Sequence, residues 1–228
     1  MGKTGGVEIQ VDLLLLCPVD PSFIMFGAYT AARERYVQLG VDIDKALKAL
    51  EKLSISLPCW QGDDVSGFEK SAAQAGGGGI QATGNYPGKA RSAAELQMDL
   101  EKALSQIPGR MRLNLHAIYG EFGEKFVDRD KISPEHYKGW IDWAKKKKVN
   151  LDFNATCFAH PQAESGYTLS SKDKGIREFW IEHVKRSREI SAFIGRELGS
   201  FCIHNLWIPD GSKDFPVDRW THRALLKE

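Results

Sequence analysis

Apolar positions along the chain fall either in short segments rich in apolar residues or in longer segments where they recur every three or four residues. The short runs lie at 55–60, 111–116, 149–153 and 201–208. Short apolar runs bounded by turn residues are typical of buried strands, whereas the three-to-four spacing is typical of amphipathic helices. The pattern therefore predicts four strands separated by helices.

Start and stop residues mark the helices that separate these strands. The predicted helices cover residues 92–105, 133–148 and 173–199. Ser92 and Glu95 have the spacing of a capping box, and Pro134 is suited to the first turn of a helix. Gly199 is a typical helix stop. In the second of these helices, the apolar Trp140 and Trp143 are predicted to share one face.

The first fifty residues have a different pattern. Residues 1 to about 27 show glycine-rich and apolar pieces without a sustained period, so we expect poor order or a peripheral role there. A helical pattern begins at Ala28 and stops at Gly40. Either Asp42 or Asp44 is then expected to cap a second helix, whose apolar residues lie on one face.

Strand and helix alternate four times from residue 55 onward. This order favours βαβ units, with a parallel sheet and right-handed crossovers. Four such units make a small open sheet, such as a doubly wound domain, or half of an eight-stranded barrel, which needs about 250 residues. The pattern alone leaves both architectures open for an α/β chain of 228 residues.

Composition narrows the class of protein. The hydrophobic fraction of 42% is ordinary for a soluble protein with a core, and the net charge of +1 does not favour nucleic acid or an anionic membrane as a partner. The basic run from Lys145 to Lys148 is expected to be a solvated helix end. The apolar stretch at 11–19 is too short to span a bilayer. The four cysteines form no CxxC pair, which favours reduced thiols in a cytoplasmic protein.

Residues whose side chains can bind a ligand or take part in catalysis cluster where the predicted strands end. They are Trp60, Gln61, Asp63, Asp64, His116, Tyr119, Asp152, Phe153, Asn154, His204, Asn205, Trp207 and Asp210. In parallel α/β folds, the carboxyl ends of the strands meet at one edge and carry the reactive groups. Amides, carboxylates and imidazoles bind sugar hydroxyls, and aromatic rings cover sugar C–H faces. The mixture suits a carbohydrate, although aromatic residues at strand ends also serve as core.

Several of these residues have a structural alternative. His116 is either a site residue at a strand end or a satisfied structural histidine. Asp63 and Asp64 could bind a metal, but adjacent residues point in different directions and a turn role is the simpler interpretation. His160 and His204 are weaker candidates, each structural or exposed in the simpler interpretation.

The glycine-rich segment at 76–91 does not have the spacing of a nucleotide site. A phosphate-binding loop ending at Gly88 and Lys89 needs a glycine where Thr83 stands and a serine or threonine where Ala90 stands. We therefore expect a flexible loop of the active site rather than a phosphate cradle.

Five segments carry a resemblance to a known family. They are CWQGDDVSGFE at 59–69, GIQATGNYPGKAR at 79–91, LNLHAIY at 113–119, LDFN at 151–154 and WIPDG at 207–211. In this order and with the helices between them, they resemble bacterial-type L-rhamnose isomerases from about residue 30 onward. Residues 1–29 do not match and are interpreted as an N-terminal extension that we expect to be disordered.

The resemblance implies a fold, a reaction and a set of contacts. The fold would be a partial (β/α)8 TIM-type barrel over residues 30–228, in a protein that forms a homotetramer. The reaction would interconvert L-rhamnose and L-rhamnulose, with divalent ions, usually Mn²⁺, polarising the sugar oxygens. Five positions match sugar-contacting residues: Trp60, His116, Trp207, Phe153 and Phe68. The loop through Phe68 resembles one that reaches a neighbouring subunit's pocket.

The chain departs from the family pattern at its end. In the family the catalytic residues and metal ligands lie on strands five to eight, and this sequence stops at Glu228. We therefore expect no metal ligand here, an inactive chain on its own, and an apolar interior face that favours aggregation. The alternatives are an inactive fragment or subunit-interaction piece, and a small α/β carbohydrate-binding domain.

Overall fold

The structure is a computed structural model that describes residues 21–59, 67–69, 88–211 and 217–228. The chain divides into two compact units, Met1–Lys52 and Leu53–Glu228. Each unit is described by itself.

The first unit contains two helices, α1 (Pro21–Gln38) and α2 (Ile43–Leu50). Helix α1 begins earlier than the predicted start at Ala28. Gly40 follows it with φ +79°, the left-handed conformation that favours glycine. The carboxylate of Asp42 accepts a hydrogen bond from the backbone N–H of Lys45 at 3.0 Å. Of the two predicted capping residues, Asp42 is therefore the one that caps α2.

The second unit contains four strands and four helices among its described residues. In chain order they are β1 (Ser54–Pro58), α3 (Ala93–Gln106), β2 (Arg110–His116), α4 (Lys138–Lys147), β3 (Asn150–Asn154), α5 (Lys174–Leu198), β4 (His204–Asn205) and α6 (Arg219–Lys227). Short 3-10 helices lie in the connections, including Ala117–Tyr119 and Arg129–Lys131. The alternation of strands and helices predicted from the sequence is confirmed.

The strands form one parallel sheet in the order β1-β2-β3-β4. Each strand pairs with the next one in the sequence, so the described strands show no reversal of order such as a doubly wound sheet has. Right-handed crossovers that advance in one direction place their helices on one face of the sheet.

The helix-facing side of the sheet is apolar. Residues of β2 and β3 are buried together with residues of α3, α4 and α5 in one hydrophobic cluster, which includes Leu96, Leu113, Leu115, Trp140, Trp143, Leu151, Phe153 and Ile190. Trp140 and Trp143 lie on the same side of α4, as predicted. Each fully buried side chain of this size contributes about 1.5–3 kcal/mol to folding, so this layer is the main source of stability.

The predicted helix ends are largely confirmed. The hydroxyl of Ser92 accepts a hydrogen bond from Glu95 N–H at 3.3 Å, but the Glu95 carboxylate accepts one from Arg91 N–H rather than from Ser92. Helix α5 ends at Gly199 with φ +59°. The residues from Pro134 form a 3-10 turn before α4 begins at Lys138.

The fourth strand is much shorter than the predicted run at 201–208. Only His204 and Asn205 pair with β3 as a ladder. In the residues before them, backbone groups form hydrogen bonds with side chains of neighbouring strands. Phe201 C=O accepts from Arg112 at 2.6 Å, and Ile203 N–H donates to Asp152 at 2.8 Å. An apolar run therefore did not become a full strand, because side chains compete for its hydrogen bonds.

The side of the sheet away from the helices is polar, so the expectation of an apolar interior face is wrong. Side chains alternate along a strand, and the positions on this side include Ser56, Arg112, Asn114, His116, Asp152, Asn154 and Asn205. The Asp152 carboxylate accepts hydrogen bonds from Ser56 and from the guanidinium of Arg112, with distances of 2.7–2.9 Å. Mutual pairing is what allows these charged groups to be buried.

Two further predictions concern thiols and membranes. Cys59 and Cys157 are buried and Cys202 is half-buried, each as a free thiol, while Cys17 lies outside the described residues. Burial raises the pKa of the Cys157 thiol to about 12, so it is protonated and unreactive. Within the ranges that the structure describes, no helix has both the length and the apolar character needed to cross a bilayer.

Candidate functional site

The carboxyl ends of the central strands bring two predicted site segments side by side. His116 is the last residue of β2 and Asn154 is the last residue of β3, and the two are direct partners in the parallel ladder. The loops that follow carry Tyr119 and Thr156. This edge of the sheet is therefore where the sequence predicted the chemistry to lie.

The ring of His116 is held in place by Thr156. Its Nδ1 lies 3.2 Å from the hydroxyl of Thr156, and that hydroxyl also accepts from Ala117 N–H at 3.2 Å. The one hydrogen of the hydroxyl has two acceptors within reach, Nδ1 of His116 and the C=O of Asn154 at 3.3 Å. Nδ1 carries the ring proton when the hydroxyl donates to Asn154, and Nε2 carries it when the hydroxyl donates to Nδ1.

The imidazole of His116 is neutral at physiological pH. Burial, and then the positive charge of Arg129, lower its pKa from 6.5 to about 4. Both effects disfavour the charged form. In either tautomer, a neutral ring can bind a hydroxyl group without bringing a charge into the site.

Phe68 lies in a short described segment, 67–69, that packs on the residues after β2. Its N–H donates to Ile118 C=O at 2.8 Å, and its ring meets that of Tyr119 edge to face at 5.4 Å. Tyr119 in turn lies 6.4 Å from the ring of His116. Gly67 has φ +70°, and a Cβ there would stand 2.7 Å from the Cβ of Ile118, so this close approach requires glycine.

Trp207 lies beyond β4 and is half-buried. Its ring meets that of Phe158 edge to face, with centroids 5.4 Å apart. Phe158 belongs to the loop after β3 and is completely buried. The loops after β3 and β4 are therefore in contact through this aromatic pair.

Arg129 connects these loops, and the sequence analysis missed it. Its side chain is 1% exposed, and it forms an ion pair with Glu69, with Nη2 and Oε2 2.9 Å apart. It also donates to the backbone carbonyls of Thr156 at 2.7 Å, Phe158 at 2.5 Å and Ala159 at 3.0 Å. No periodicity or motif marks this residue. A signal was nevertheless present, because Glu69 is the last residue of a segment that carried the family resemblance.

The other predicted sugar-contacting residues are placed differently. Phe153 lies on the helix-facing side of β3, fully buried, with its ring 5.0 Å from that of Tyr137. The geometry therefore does not bring Phe153 together with His116, which lies on the opposite side of the sheet. Trp60, Asp63 and Asp64 lie outside the described residues.

The remaining polar candidates have structural partners. His160 Nε2 lies 3.0 Å from the Asp128 carboxylate, while its Nδ1 accepts from Gln162 N–H at 3.1 Å. Asp210 accepts from the hydroxyls of Thr168 and Ser170 at 2.6 and 2.7 Å. These contacts close loops at the edge of the sheet. His204 is half-buried on the helix-facing side of β4, in register with Phe153, and burial lowers its pKa.

The described residues do not fit a metal ion. Within the described part of the chain, no group of three or more histidine, cysteine, aspartate or glutamate side chains is placed to hold one. Divalent ions such as Mn²⁺ need several oxygen or imidazole ligands at once.

Comparison with known proteins identifies close relatives of the chain. The family profile described as L-rhamnose isomerase (RhaA) matches residues 24–228. L-rhamnose isomerase of Enterobacter sp. strain 638 is 56% identical over 199 residues, which are 87% of this chain and 47% of the relative. The L-rhamnose isomerase of Bacteroides thetaiotaomicron is 55% identical over 201 residues, 88% of this chain and 48% of the relative.

The match covers most of this chain but only part of each relative. The chain spans about half the length of the curated relatives it matches, since the same 47% share recurs in the L-rhamnose isomerase of Klebsiella pneumoniae, which is 54% identical. The matched region contains β1 to β4 and the edge of the sheet where His116, Phe68 and Trp207 lie.

Proposed function

Because this chain belongs to the L-rhamnose isomerase family, we propose that it supplies one wall of the sugar pocket of an enzyme that interconverts L-rhamnose and L-rhamnulose. The observation that carries this proposal is the match at up to 56% identity across the segment that builds the carboxyl edge of the sheet. The reaction moves hydrogen between C1 and C2 of the sugar, so that an aldose becomes a ketose.

The four strand–helix units support a (β/α)8 barrel as the complete fold. A barrel requires parallel strands that follow one another in order, with every helix on the outer face. The order β1-β2-β3-β4 has this character. The polar inner face also agrees with a barrel, whose upper interior opens to the substrate.

Within this wall, His116 is the residue proposed to hydrogen-bond a sugar hydroxyl. Its ring is neutral, and Thr156 holds the Nδ1 side of the ring. Phe68 and Trp207 are proposed to cover apolar C–H faces of the sugar. Trp60, which also matches the family, is proposed as a further contact on sequence alone. Phe153 is not proposed as a contact, because it packs on Tyr137 on the helix-facing side of β3.

The finer features of the family remain part of the proposal. We propose Mn²⁺ as the metal, a homotetramer as the assembly and the cytoplasm as the location. The support is family membership, together with a composition that favours neither nucleic acid nor membrane. When bound, a divalent ion would polarise the sugar oxygens at C1 and C2. The chain's described residues would orient the sugar and exclude water from it.

A binding and turnover assay tests the proposal. L-Rhamnose is titrated into the chain and followed by isothermal calorimetry, and formation of L-rhamnulose is measured with Mn²⁺ present. His116→Ala is expected to weaken sugar binding by roughly tenfold, the loss of one good hydrogen bond in a pocket. His136→Gln is the matched control, because glutamine keeps the capping-box acceptor that His136 provides to Ser133.

Two results would contradict the proposal. One is equal sugar affinity in the wild type and His116→Ala. The other is binding of unrelated sugars as tightly as L-rhamnose, which favours a general carbohydrate-binding domain instead. Binding of L-rhamnose without turnover by this chain agrees with a wall of the pocket that needs the rest of the protein.

A further inference from the structure

Three of the proposed sugar contacts lie at or beyond the carboxyl ends of three separate strands, and one side chain contacts all three neighbourhoods. Phe68 precedes Glu69, whose carboxylate pairs with Arg129. His116 is hydrogen-bonded to Thr156, whose carbonyl accepts from Arg129. We define the Arg129 cluster as Arg129, Glu69 and the carbonyls of Thr156, Phe158 and Ala159.

The third neighbourhood is that of Trp207. Its ring packs against Phe158, and the carbonyl of Phe158 accepts from Arg129 Nη1 at 2.5 Å. Each of the three aromatic or imidazole side chains is therefore one residue or one contact away from the same guanidinium. We infer that Arg129 is a positioning residue, which sets the distances between Phe68, His116 and Trp207. The importance of these distances for sugar binding rests on the function proposed above.

The chemistry of the guanidinium suits this role. It is planar and carries five N–H donors in a fixed arrangement. Here Nε and Nη2 address the Glu69 carboxylate, while Nη1 and Nη2 address the three carbonyls. A lysine has one nitrogen and cannot reach both the carboxylate and the carbonyls. The site therefore needs arginine specifically, and charge alone does not satisfy it.

The backbone of Arg129 is itself held in place by neighbouring side chains. The backbone C=O of Arg129 lies 2.9 Å from His183 Nδ1, and the same ring reaches Ala155 C=O on its other side. Arg129 N–H donates to the Asp128 carboxylate at 2.7 Å. His183 is fully buried in the long helix α5. The backbone of Arg129 is thus fastened to the rigid part of the unit, while its side chain reaches the loops.

Loops at a strand end need such a contact more than strands do. The residues 67–69 and 156–159 have no strand ladder or helix of their own. Thr156 and Ala159 even have positive φ values, of 59° and 50°. Backbone in this region is strained for non-glycine residues and persists only where surrounding contacts enforce it. The hydrogen bonds from Arg129 to the carbonyls of these two residues are such contacts.

The chain offers a matched control for testing this inference. Arg112 is also buried, at 4% exposure, and also pairs with a carboxylate, Asp152, at 2.7 Å. Its partners lie within the sheet and in the residues leading into β4, away from the loops at the carboxyl edge. Arg112→Lys and Arg129→Lys therefore both disturb a buried ion pair, but only the second acts on the Arg129 cluster.

The experiment uses NMR on the full chain, following the imidazole signals of His116 and the indole N–H signal of Trp207, and a titration with L-rhamnose. Arg129→Lys is expected to shift both sets of signals and to weaken L-rhamnose binding by roughly tenfold or more, because misplaced contacts are costly in a pocket. Arg112→Lys is expected to lower the melting temperature while leaving both sets of signals and the affinity as in the wild type.

A second variant keeps the test decisive if Arg129→Lys does not fold. Glu69→Gln keeps the size of the side chain and one acceptor oxygen, and it is expected to shift the ring signals of Phe68 while leaving Trp207 unchanged. Equal shifts from the Arg112 and Arg129 variants, or unchanged signals in both cluster variants, would overturn the inference. If the wild type fails to bind L-rhamnose but Arg129→Lys still shifts His116 and Trp207, the proposed function fails and the positioning role stands.

Discussion

The two buried arginines of the second unit differ in what they hold together. Arg112 lies within β2, and its partner Asp152 lies on the neighbouring strand, 40 residues away. Arg129 lies on a short 3-10 helix outside the sheet, and its partner Glu69 lies 60 residues away in a short segment without regular structure. The first pair joins strands that a backbone ladder already joins. The second joins loops that have no other regular connection.

The two ion pairs are therefore expected to affect different properties: the Arg112 pair the free energy of unfolding, and the Arg129 pair the positions of the loops. The attraction within a buried ion pair is offset by the cost of removing two charges from water, so such a pair adds little net stability. Removing one partner is nevertheless strongly destabilising, because the other charge is then buried without compensation. If the Arg112 pair were broken, the backbone ladder would still keep the register of the strands. If the Arg129 pair were broken, the loops would no longer be held in the same relative position. Four predictions, ordered by expected effect, test this comparison.

The largest effect is expected from breaking the pair inside the sheet. Asp152→Asn removes the charge that compensates Arg112 and weakens contacts to Ser56 and to Ile203 N–H. We expect the free energy of unfolding to fall by about 3–5 kcal/mol, measured by urea denaturation. The His116 signals should stay as in the wild type at temperatures where the variant is folded. A shift of those signals would show that the two ends of the sheet are not independent.

The second prediction uses pH to separate the two ends. The folded pKa of His116 is about 4, below its ordinary 6.5, so its contribution to stability is present above pH 6.5 and is lost as the pH falls toward 4. The shift corresponds to roughly 3 kcal/mol at most. His116→Gln should therefore flatten the fall in stability between pH 6.5 and 4, as measured by urea denaturation at several pH values.

The other end of the sheet responds in a lower pH range. Burial raises the pKa of the Asp152 carboxyl, but hydrogen bonds from Arg112, Ile203 N–H and Ser56 outweigh it and leave the pKa below 3.8. Its contribution is therefore present above pH 3.8 and lost only below that value. An Asp152→Asn variant whose free energy of unfolding falls below pH 3.8 as steeply as that of the wild type would contradict this assignment.

The third prediction concerns the anchoring of Phe68. Gly67→Ala adds a Cβ that would stand 2.7 Å from Ile118 Cβ and 2.9 Å from Ile118 C=O. Gly123→Ala is the control, because Gly123 also has positive φ, at +63°, but has nothing within 4 Å of the added Cβ. We expect the control to lose about 1 kcal/mol from the left-handed backbone and Gly67→Ala to lose about 1–3 kcal/mol more from overpacking. Equal unfolding free energies would contradict the close approach.

The smallest effect is expected on the titration of one histidine. Arg129→Gln removes the positive charge that is the second cause of the low His116 pKa, while burial, the first cause, remains. The pKa of His116 should therefore rise but stay below 6.5, as followed by NMR. Arg112→Gln should not change it. A larger rise after the Arg112 change would mean that charge reaches His116 through the sheet rather than through the loops.

Much of the fold could be predicted from the sequence, because the signals are local. Ser92 and Asp173 cap the helices that follow them, since each side chain bonds to a backbone N–H only three residues away. The apolar runs also predict β1, β2 and β3 within a few residues. Local patterns failed at β4, where an apolar run from 201 is held by side chains of Arg112 and Asp152 instead of a strand ladder.

The candidate site was predictable only in part. His116 stands at a strand end, and strand ends meet at one edge, so its place followed from topology. Phe153 also stands near a strand end, but alternation along the strand directs it toward the helices, where it packs on Tyr137. A one-residue difference along a strand reverses the face. The side on which a strand-end residue lies therefore required the register of the sheet.

By itself the sequence determined the order of strands and helices, the helix caps and the family, because these depend on neighbours in the chain or on whole matched segments. Only the tertiary structure decided that Arg129 meets Glu69 and three loop carbonyls, and that the inner face of the sheet is polar and self-paired. The reason is distance along the chain. No periodicity relates residues 60 positions apart, and their contact exists only after the strands have brought their loops to one edge.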